Sequence, residues 1–354
     1  MFLMTKIILG IMSGSSLDGL DIGAFKFNFS KNVWAFEIIA FKTFAIHEKL
    51  KSQLIIADKL EKTELNELDI LYGKFISECI IEFTNEHNLN PELIGVHGHT
   101  VFHEPKKGFS LQLGNGKVIA EKTKITTVSD FRNEDIQKGG QGAPLVPIGD
   151  NLLFKDYDAC INLGGIANVT LKESKVAFDI YYCNRALNYL ANKLGFEYDK
   201  NGSLSRKGKN NKELLIELNR IKYLKLKGPK SLNNQDFEKF LIPIFNQFKN
   251  DKTENLLRTY IEFLADLIAF SATNCKNILV TGGGAHNSFF MEILRKKTNS
   301  TTKVPEPIIT DSKEALIFAT RKELIKIARQ RIQNHPDRYV DHVYGEHEMG
   351  GCSW

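Results

Sequence analysis

The sequence predicts an α/β protein built from two related domains with a cleft between them. Two glycine-rich turns, residues 10–21 and 162–168, each lie between short apolar runs, which is the pattern of a strand, a turn and a second strand. Both are followed by a further strand pattern and by amphipathic helices, so the second half repeats the plan of the first. A third glycine group, at 282–284, ends a strand predicted over 277–281.

The remaining elements follow from hydrophobic periodicity. The first half is predicted to contain strands over 34–44, 93–96, 109–113 and 125–128 and helices over 49–58, 63–87 and 115–122. The second half is predicted to contain a strand over 176–180 and helices near 184–194, 211–222, 234–249 and 252–274. Glycines and one proline at 139–144 mark the candidate boundary. We expect domains over 1–138 and 139–310, a late helix over 311–330 that rejoins the first domain, and a poorly ordered tail over 331–354.

Composition narrows the function classes. The 354 residues are 42% hydrophobic and 25% charged, as in an ordinary globular protein with two cores. The net charge of +5 comes from scattered lysines, so no nucleic-acid partner is expected. Five scattered cysteines indicate a reduced, cytoplasmic protein, and no apolar stretch reaches the roughly 20 residues that span a bilayer. The apolar N-terminus is interpreted as a first strand and not as a signal peptide.

The glycine turns are the candidate phosphate-binding elements. Glycine lets the backbone approach a ligand closely, and two opposed turns can hold a polyphosphate with backbone amides. The first turn lacks the closing Gly-Lys-Ser/Thr of a P-loop and the spacing of a nucleophile elbow. Asp18 and Asp21 beside it could hold a divalent cation or a sugar hydroxyl, and the alternative is a tight hairpin with solvated aspartates. The candidate cofactor-binding residues are Ser13, Gly14, Ser15, Ser16, Leu17, Asp18, Gly19, Asn162, Gly164, Gly165, Asn168, Gly282, Gly283 and Gly284.

Other polar residues are candidates for catalysis and substrate binding. Asp179 ends a predicted strand near the second turn, where a carboxylate can act as a base, and its alternative is a structural or helix-capping role. The motif of His97, His99 and His103 favours contact with a polar substrate or loop orientation over a zinc site.

Two further pairs carry alternatives of their own. Arg132 and Asp135 suit a sugar or a salt bridge between domains. Asp311 and Glu314 have the spacing of a helix N-cap and its capping-box partner.

Together these motifs resemble those of the 1,6-anhydro-N-acetylmuramic acid kinases, which belong with other sugar kinases, heat-shock chaperones and actin. The similarity covers residues 6–320. The motifs that carry it are residues 10–21, 97–100, 131–147, 162–168, 178–179, 281–284 and 311–315.

The resemblance implies a two-domain actin-like (ribonuclease H-like) ATPase fold with an interdomain cleft. It also implies an ATP- and Mg²⁺-dependent cytoplasmic enzyme of peptidoglycan recycling, acting as a homodimer on a small sugar, without membrane or nucleic acid. Such an enzyme hydrolyses the 1,6-anhydro ring and phosphorylates O6, giving N-acetylmuramate 6-phosphate and ADP. The residues matched to family roles are Asp179 as the general base, 13–21 and 162–168 as phosphate loops, and 282–284 as the adenosine contact. The candidate substrate-binding residues are His97, Thr100, Arg132, Asp135 and Glu314, and the candidate metal ligands are Asp18 and Asp21.

Several positions depart from the family pattern. His99 stands where the family usually has Gln, and Ser15 where it has Thr. Tyr181 and Tyr182 replace small residues and are expected to crowd the sugar pocket. The segment after Ala319 is atypical and looks similar to parts of iron–sulfur subunits, although Cys352 alone cannot ligate a cluster. An ordinary kinase acting on an open-ring sugar and a non-catalytic nucleotide sensor remain the alternatives.

Overall fold

The structure, a computed structural model, describes residues 7–14, 17, 19–30, 33–137, 142–143, 145–226, 230–232 and 236–334. For residues 29–30, 33, 134–135 and 321–334 it describes the backbone only. The chain divides into two compact units. Unit 1 comprises residues 1–153 and 312–354, and unit 2 comprises residues 154–311.

The sheet of unit 1 has five strands in the order β3-β2-β1-β4-β7. Strands β1, β2 and β3 pair antiparallel, whereas β4 and β7 join the other edge of β1 in parallel. A separate antiparallel hairpin is formed by β5 and β6. The bounds are β1 Ile7–Ser13, β2 Leu20–Ser30, β3 Val33–Phe44, β4 Leu93–Val96, β5 His99–Glu104, β6 Phe109–Leu113 and β7 Thr126–Val128.

The sheet of unit 2 repeats this topology strand for strand, in the order β10-β9-β8-β11-β12. Its first three strands are again antiparallel, and the last two are parallel. This repeat confirms the prediction of an α/β fold with two related units. The bounds are β8 Ala159–Leu163, β9 Ile166–Leu171, β10 Val176–Tyr182, β11 Asn277–Thr281 and β12 Thr301–Lys303.

Eleven α-helices lie within the described part of the chain, and each unit has its own buried apolar cluster. In unit 1, α2 begins at a capping box formed by Glu61 and Glu64, and its N-cap Glu61 lies two residues before Thr63, where the helix was predicted to begin. The bounds are α1 Glu48–Ile55, α2 Lys62–Glu86, α3 Gly116–Thr123, α4 Asn133–Gln137, α5 Val146–Leu153, α6 Asn184–Asn192, α7 Lys212–Asn219, α8 Ile242–Gln247, α9 Thr253–Ser271, α10 Ser288–Lys297 and α11 Pro307–Asn334.

The chain passes between the units after Leu153 and after Asp311. The first passage lies later than the expected boundary at 138/139, because α5 packs within unit 1, where Gly149 lies against the Ile317 side chain. A buried ion pair joins the same two helices. The Lys313 Nζ lies 2.9 Å from an Asp150 carboxylate oxygen, and the two side chains are 2% and 1% exposed.

The start of α11 corrects the expected capping box. The helix begins at Pro307, and the amides of Ile309 and Thr310 already donate to the Glu306 carbonyl at 2.9 and 3.0 Å. Asp311 therefore lies inside the helix and cannot cap it. Its carboxylate oxygen Oδ1 instead lies 2.6 Å from His286 Nε2, within hydrogen-bond distance.

Two short strands and the C-terminal end of α11 differ from the prediction. The strands β5 and β12 were not predicted, since each is short and lacks a strong apolar alternation. The helix α11 extends to Asn334, into the region expected to be a tail, and residues 335–354 lie outside the described residues. No helix of the described residues is long and apolar enough to cross a membrane.

Candidate functional site

The first glycine turn connects β1 and β2 in unit 1. Ser13, the last residue of β1, is buried and pairs with Leu20 across the hairpin. Between them Leu17 adopts φ 53° and donates from its amide to the Gly14 carbonyl at 3.2 Å. The Leu17 side chain is only 4% exposed, so it anchors the turn in the core of unit 1. Ser15, Ser16 and Asp18 lie outside the described residues.

Asp21 lies directly after this turn, opposite Met12 on one side and Thr43 on the other. The Thr43 Oγ1 donates to Asp21 Oδ1 at 2.6 Å. Thr43 therefore orients the carboxylate beside the first turn. Of the two predicted metal ligands, Asp21 is the one whose surroundings are described.

A histidine–arginine contact lies at the end of β4. The His97 ring Nε2 accepts from Arg132 Nε at 3.2 Å and Nη2 at 2.8 Å, so the Nδ1 proton is left to donate to the Gly98 carbonyl at 2.8 Å. Arg132 Nη1 also donates to the Gly142 carbonyl at 2.9 Å. Since both ring nitrogens of His97 already have hydrogen-bond partners, neither is available as a zinc ligand, which argues against a zinc site. No group of three potential metal ligands occurs among the described residues.

The strand β5 brings the next histidine beside the first glycine turn. His99 is 6% exposed, and burial lowers its pKa to about 4, partly opposed by a hydrogen bond with the Gly14 backbone. Thr100 follows it opposite Gln112, just before a bulge in the hairpin. Burial, and secondarily the Arg132 charge, lowers the pKa of His103, whose Nδ1 contacts Ser110 Oγ at 3.2 Å. His99 and His103 are therefore neutral at pH 7, and both ring nitrogens of His97 are held in hydrogen bonds within unit 1.

The second glycine turn is a two-residue hairpin between β8 and β9. The carbonyls of Gly164 and Gly165 accept from the first amides of α6, with Asn184 N 3.0 Å and Cys183 N 2.8 Å from them respectively. Neither glycine amide donates to another residue that the structure describes. The turn thus presents its donors outward while its acceptors are tied to a helix, as an anion-binding turn requires.

The third glycine turn packs against the second. Gly282 has φ 83°, and a Cβ there would lie 2.5 Å from Asn162 Oδ1 and 2.9 Å from the Leu163 backbone carbon. A Cβ on Gly284 would lie 2.8 Å from the Leu163 Cβ. Only glycine allows this approach. The structure therefore brings together two of the three predicted cofactor turns, both in unit 2.

Asn184 holds these two turns together and was not predicted. Its Nδ2 donates to the Leu163 carbonyl at 2.8 Å, and its amide group lies 3.5 Å from the position of a Cβ on Gly283. The available signal was its place at the start of a helix shortly after Asp179, but an asparagine there is commonly a cap.

A row of polar residues crosses the unit 2 sheet. Thr281 pairs with Asn162, Asn162 with Asn168, and Asn168 with Asp179. Because directly paired residues of neighbouring strands point to the same face, these four side chains share one face at the strand ends. The predicted base Asp179 and the predicted turn residues Asn162 and Asn168 are therefore structural neighbours.

Asp179 is held at a bulge of β10 by three hydrogen bonds from one segment. Its amide donates to the Lys230 carbonyl at 2.9 Å, its carbonyl accepts from Tyr223 Oη at 2.6 Å, and its Oδ2 accepts from Leu232 N at 2.9 Å. Burial raises the pKa of the Asp179 carboxyl to about 6, although the Leu232 amide acts in the opposite direction. A carboxylate with this pKa is suited to general-base catalysis near neutral pH.

Tyr181 and Tyr182 do not crowd this site, so that expectation was wrong. Each is 1% exposed in the apolar core of unit 2, where Tyr181 packs edge-on against Phe263 and Tyr182 against Phe237. The bulge after Asp179 shifts the alternation of the strand, so Tyr181 lies on the face opposite to Asp179.

The remaining predicted substrate residues lie on helices of unit 1. Glu314 is partly buried between Lys313 and Ala315 on α11. Asp135 lies on α4, where only the backbone is described. Each unit is described by itself, so the predicted facing of the first and second turns across a cleft stays a prediction.

Comparison with known proteins agrees with these motifs. The family model for anhydro-N-acetylmuramic acid kinase matches residues 6–341, which extends beyond the similarity over residues 6–320 that the motifs indicated. Anhydro-N-acetylmuramic acid kinases of Bacillus cereus (strain 03BB102) and Bacillus thuringiensis (strain Al Hakam) are each 32% identical over 346 residues, covering 88% of this chain and 91% and 90% of theirs.

Solved structures are more distant. Component A of the Acidaminococcus fermentans (R)-2-hydroxyglutaryl-CoA dehydratase is 14% identical with a TM-score of 0.48, covering 89% of this chain and 96% of that one. The ROK hexokinase of Thermus thermophilus is 10% identical with a TM-score of 0.39, covering 89% and 97%. These values carry no functional conclusion. The family match over nearly the whole chain does, and the chain belongs to the anhydro-N-acetylmuramic acid kinase family of phosphotransferases.

Proposed function

We propose that this enzyme hydrolyses the 1,6-anhydro ring of 1,6-anhydro-N-acetylmuramic acid and transfers the γ-phosphoryl group of ATP to O6. The products are N-acetylmuramate 6-phosphate and ADP. The observation that carries the proposal is Asp179, a partly buried carboxylate whose pKa is raised to about 6 and which lies in one polar row with the second glycine turn. Family membership supplies the substrate class.

The proposed reaction uses Asp179 as the base. Its carboxylate takes a proton from water, and the water oxygen forms a bond to the anomeric carbon while the bond from that carbon to O6 breaks. The freed O6 attacks the γ-phosphorus of ATP, and ADP leaves. The Leu232 amide occupies Oδ2, so Oδ1 is the oxygen available to accept the proton. A raised pKa makes the carboxylate a stronger base than an ordinary aspartate at the same pH.

The glycine turns are proposed to hold the nucleotide, with 13–19 and 162–168 at the phosphates and 282–284 at the adenosine. Phosphoryl transfer depends mainly on positioning and charge neutralisation, for which backbone donors are suited. Mg²⁺, when bound with the nucleotide, neutralises developing phosphate charge. Protein sites for Mg²⁺ often contribute only one or two carboxylates, and Asp21, oriented by Thr43, fits that requirement. Asp18, which lies outside the described residues, is the second proposed ligand.

Unit 1 is proposed to supply the sugar contacts. His97, Thr100, Arg132, Asp135 and Glu314 are the residues assigned to this role. Arg132 is oriented by its hydrogen bonds to His97 and to Gly142. Action in the cytoplasm, peptidoglycan recycling and assembly as a homodimer are proposed from the resemblance, and the absence of nucleic-acid and membrane partners stays an expectation from composition.

An isotope experiment tests the proposal. The enzyme is incubated with ATP, Mg²⁺ and the anhydro sugar in ¹⁸O-water, and the product is analysed by mass spectrometry. We expect one ¹⁸O on the anomeric carbon and phosphate on O6. A phosphorylated product with the bridge intact would contradict the ring-opening step. Phosphorylation of open-ring N-acetylmuramic acid alone would favour the ordinary sugar kinase, and nucleotide binding without any transfer would favour the sensor.

A further inference from the structure

Lys230 lies beside the proposed base but takes no part in the chemistry described above. Its carbonyl accepts from the Asp179 amide at 2.9 Å, so its backbone is fixed next to the catalytic residue. Its ammonium group folds back over Tyr223, with Nζ 3.2 Å from the Tyr223 carbonyl and 4.6 Å from the ring centroid. Tyr223 is itself hydrogen-bonded to Asp179. The Lys230 backbone is therefore fixed beside the base, and its charge is held over the tyrosine that is hydrogen-bonded to the base.

Among the residues that the structure describes, none is an acidic partner of this ammonium group. No carboxylate of a described residue lies within ion-pair distance of Nζ, and the neighbouring residues 227–229 and 233–235 include no Asp or Glu. Burial lowers the pKa of Lys230, and no nearby charge contributes to the shift. A partly desolvated cation without a counter-charge is costly to the folded protein, and an anion that binds beside it removes that cost.

The proposed substrate carries such an anion. N-acetylmuramic acid differs from N-acetylglucosamine by a lactyl ether that ends in a carboxylate, and this ether is attached to the same sugar ring as the anomeric carbon on which Asp179 is proposed to act. We propose that Lys230 recognises the carboxylate of an acidic sugar substrate and so selects the muramic acid over its neutral analogue. This inference rests on the proposed function, since it assumes that the sugar binds at Asp179.

The chain offers a matched control. Lys193 lies with its Nζ 4.6 Å from the centroid of the Tyr189 ring, the same geometry as Lys230 over Tyr223. Unlike Lys230, it is an exposed residue on the C-terminal end of α6. Lys193→Met therefore removes an equivalent cation–π contact without touching the segment around Asp179.

The test compares Lys230→Met and Lys193→Met with the unmodified enzyme on two substrates. These are 1,6-anhydro-N-acetylmuramic acid and 1,6-anhydro-N-acetylglucosamine, which lacks the lactyl carboxylate. We expect Lys230→Met to raise KM for the acid roughly 10- to 100-fold, as the loss of a charged hydrogen bond would. Its KM for the neutral sugar, its KM for ATP and its kcat should change less than about twofold. Lys193→Met should behave as the unmodified enzyme on both substrates, and Lys230→Arg should restore part of the affinity for the acid.

Other outcomes overturn the inference. An unchanged KM for the acid in Lys230→Met would show that the carboxylate binds elsewhere. An equal loss on both sugars, or a fall in kcat with KM unchanged, would show that Lys230 acts only by supporting Asp179. Failure of the proposed function is distinguishable, because then the unmodified enzyme would phosphorylate neither anhydro sugar.

Discussion

The two units share one sheet topology but use glycine for different purposes. In unit 1, Gly10 and Gly95 lie inside central strands, where the backbone of α11 crosses the sheet. A Cβ on Gly10 would lie 1.8 Å from the Ala315 carbonyl oxygen, and one on Gly95 would lie 2.3 Å from that of Phe318. In unit 2, a Cβ on Gly165 would meet no atom within 4 Å. The first pair serves packing, whereas Gly165 leaves space above a turn.

Glycine content alone therefore does not identify a ligand site. In unit 1 the central glycines allow close packing of α11 on the sheet, and the buried ion pair of Lys313 and Asp150 joins the same helix to α5. Unit 2 concentrates free backbone donors, Asp179 and an uncompensated lysine around strand ends. The following changes, ordered from the largest expected effect to the smallest, test whether unit 2 carries chemistry while these parts of unit 1 carry stability.

Asp179→Asn should abolish turnover without harming the fold. We expect kcat to fall by a factor on the order of 1,000 or more, because the variant lacks the base, while nucleotide affinity measured by calorimetry is retained. Unchanged turnover would show that Asp179 takes no part in the chemistry, and it would contradict the assignment of catalysis to unit 2.

The pH dependence of the same variant sharpens this test. In the unmodified enzyme, kcat should rise with pH through about 6, as the Asp179 carboxyl loses its proton. A carboxyl whose folded-state pKa exceeds its ordinary 3.8 stabilises the fold below that pH, and this contribution is lost as pH rises through about 6. At pH 7 the unfolding free energy of Asp179→Asn should therefore exceed that of the unmodified enzyme by at most about 3 kcal/mol, which thermal melting would detect as a higher melting temperature. The difference in stability should disappear near pH 4.

Lys313→Met should destabilise unit 1. Removing one partner leaves the Asp150 charge buried, which costs about 3–5 kcal/mol of unfolding free energy. The double variant Lys313→Met with Asp150→Leu should recover much of this loss, since neither charge remains. The measurement is chemical denaturation of the single variant, the double variant and the parent. Equal stability of the single and double variants would mean that the pair is not coupled.

Gly10→Ala and Gly165→Ala test the comparison of the two units directly. Gly10→Ala should lower the unfolding free energy by about 1–3 kcal/mol or more, because its methyl group would overlap the α11 backbone. Gly165→Ala should leave thermal stability unchanged but raise KM for ATP, since the methyl group would occupy space next to the free amides. If Gly165→Ala bound nucleotide normally, the second turn would not be a phosphate contact.

Tyr223→Phe should have the smallest effect. It removes one hydrogen bond to the Asp179 carbonyl, and the loss of about 1 kcal/mol in positioning should lower kcat about fivefold with KM for ATP unchanged. The matched control is Tyr189→Phe, since the Tyr189 hydroxyl has no hydrogen bond to any residue that the structure describes. Equal activity in both variants would show that Asp179 is positioned without the Tyr223 hydroxyl.

Much of this architecture follows from local sequence pattern. The two hairpins, the long helices and the glycine turns could be predicted because each depends on neighbouring residues: alternation for strands, a three-to-four residue period for helices, glycine for close approach. Prediction failed where distant residues decide. The capping box at Asp311 was wrong because the helix starts at Pro307, and the face on which Tyr181 lies depends on a bulge that no local pattern indicated.

The family, the repeated α/β plan and the choice of Asp179 as the candidate base follow from the amino-acid sequence alone, since motifs of 2–17 consecutive residues carry that information. Tertiary structure alone decided that the second and third glycine turns meet, that Asn184 joins them and that Lys230 lies beside the base. These contacts join residues up to about 120 positions apart in the chain, as between Asn162 and Gly282. Their burial and shared hydrogen bonds exist only once the sheet of unit 2 has formed, so no local pattern contains them.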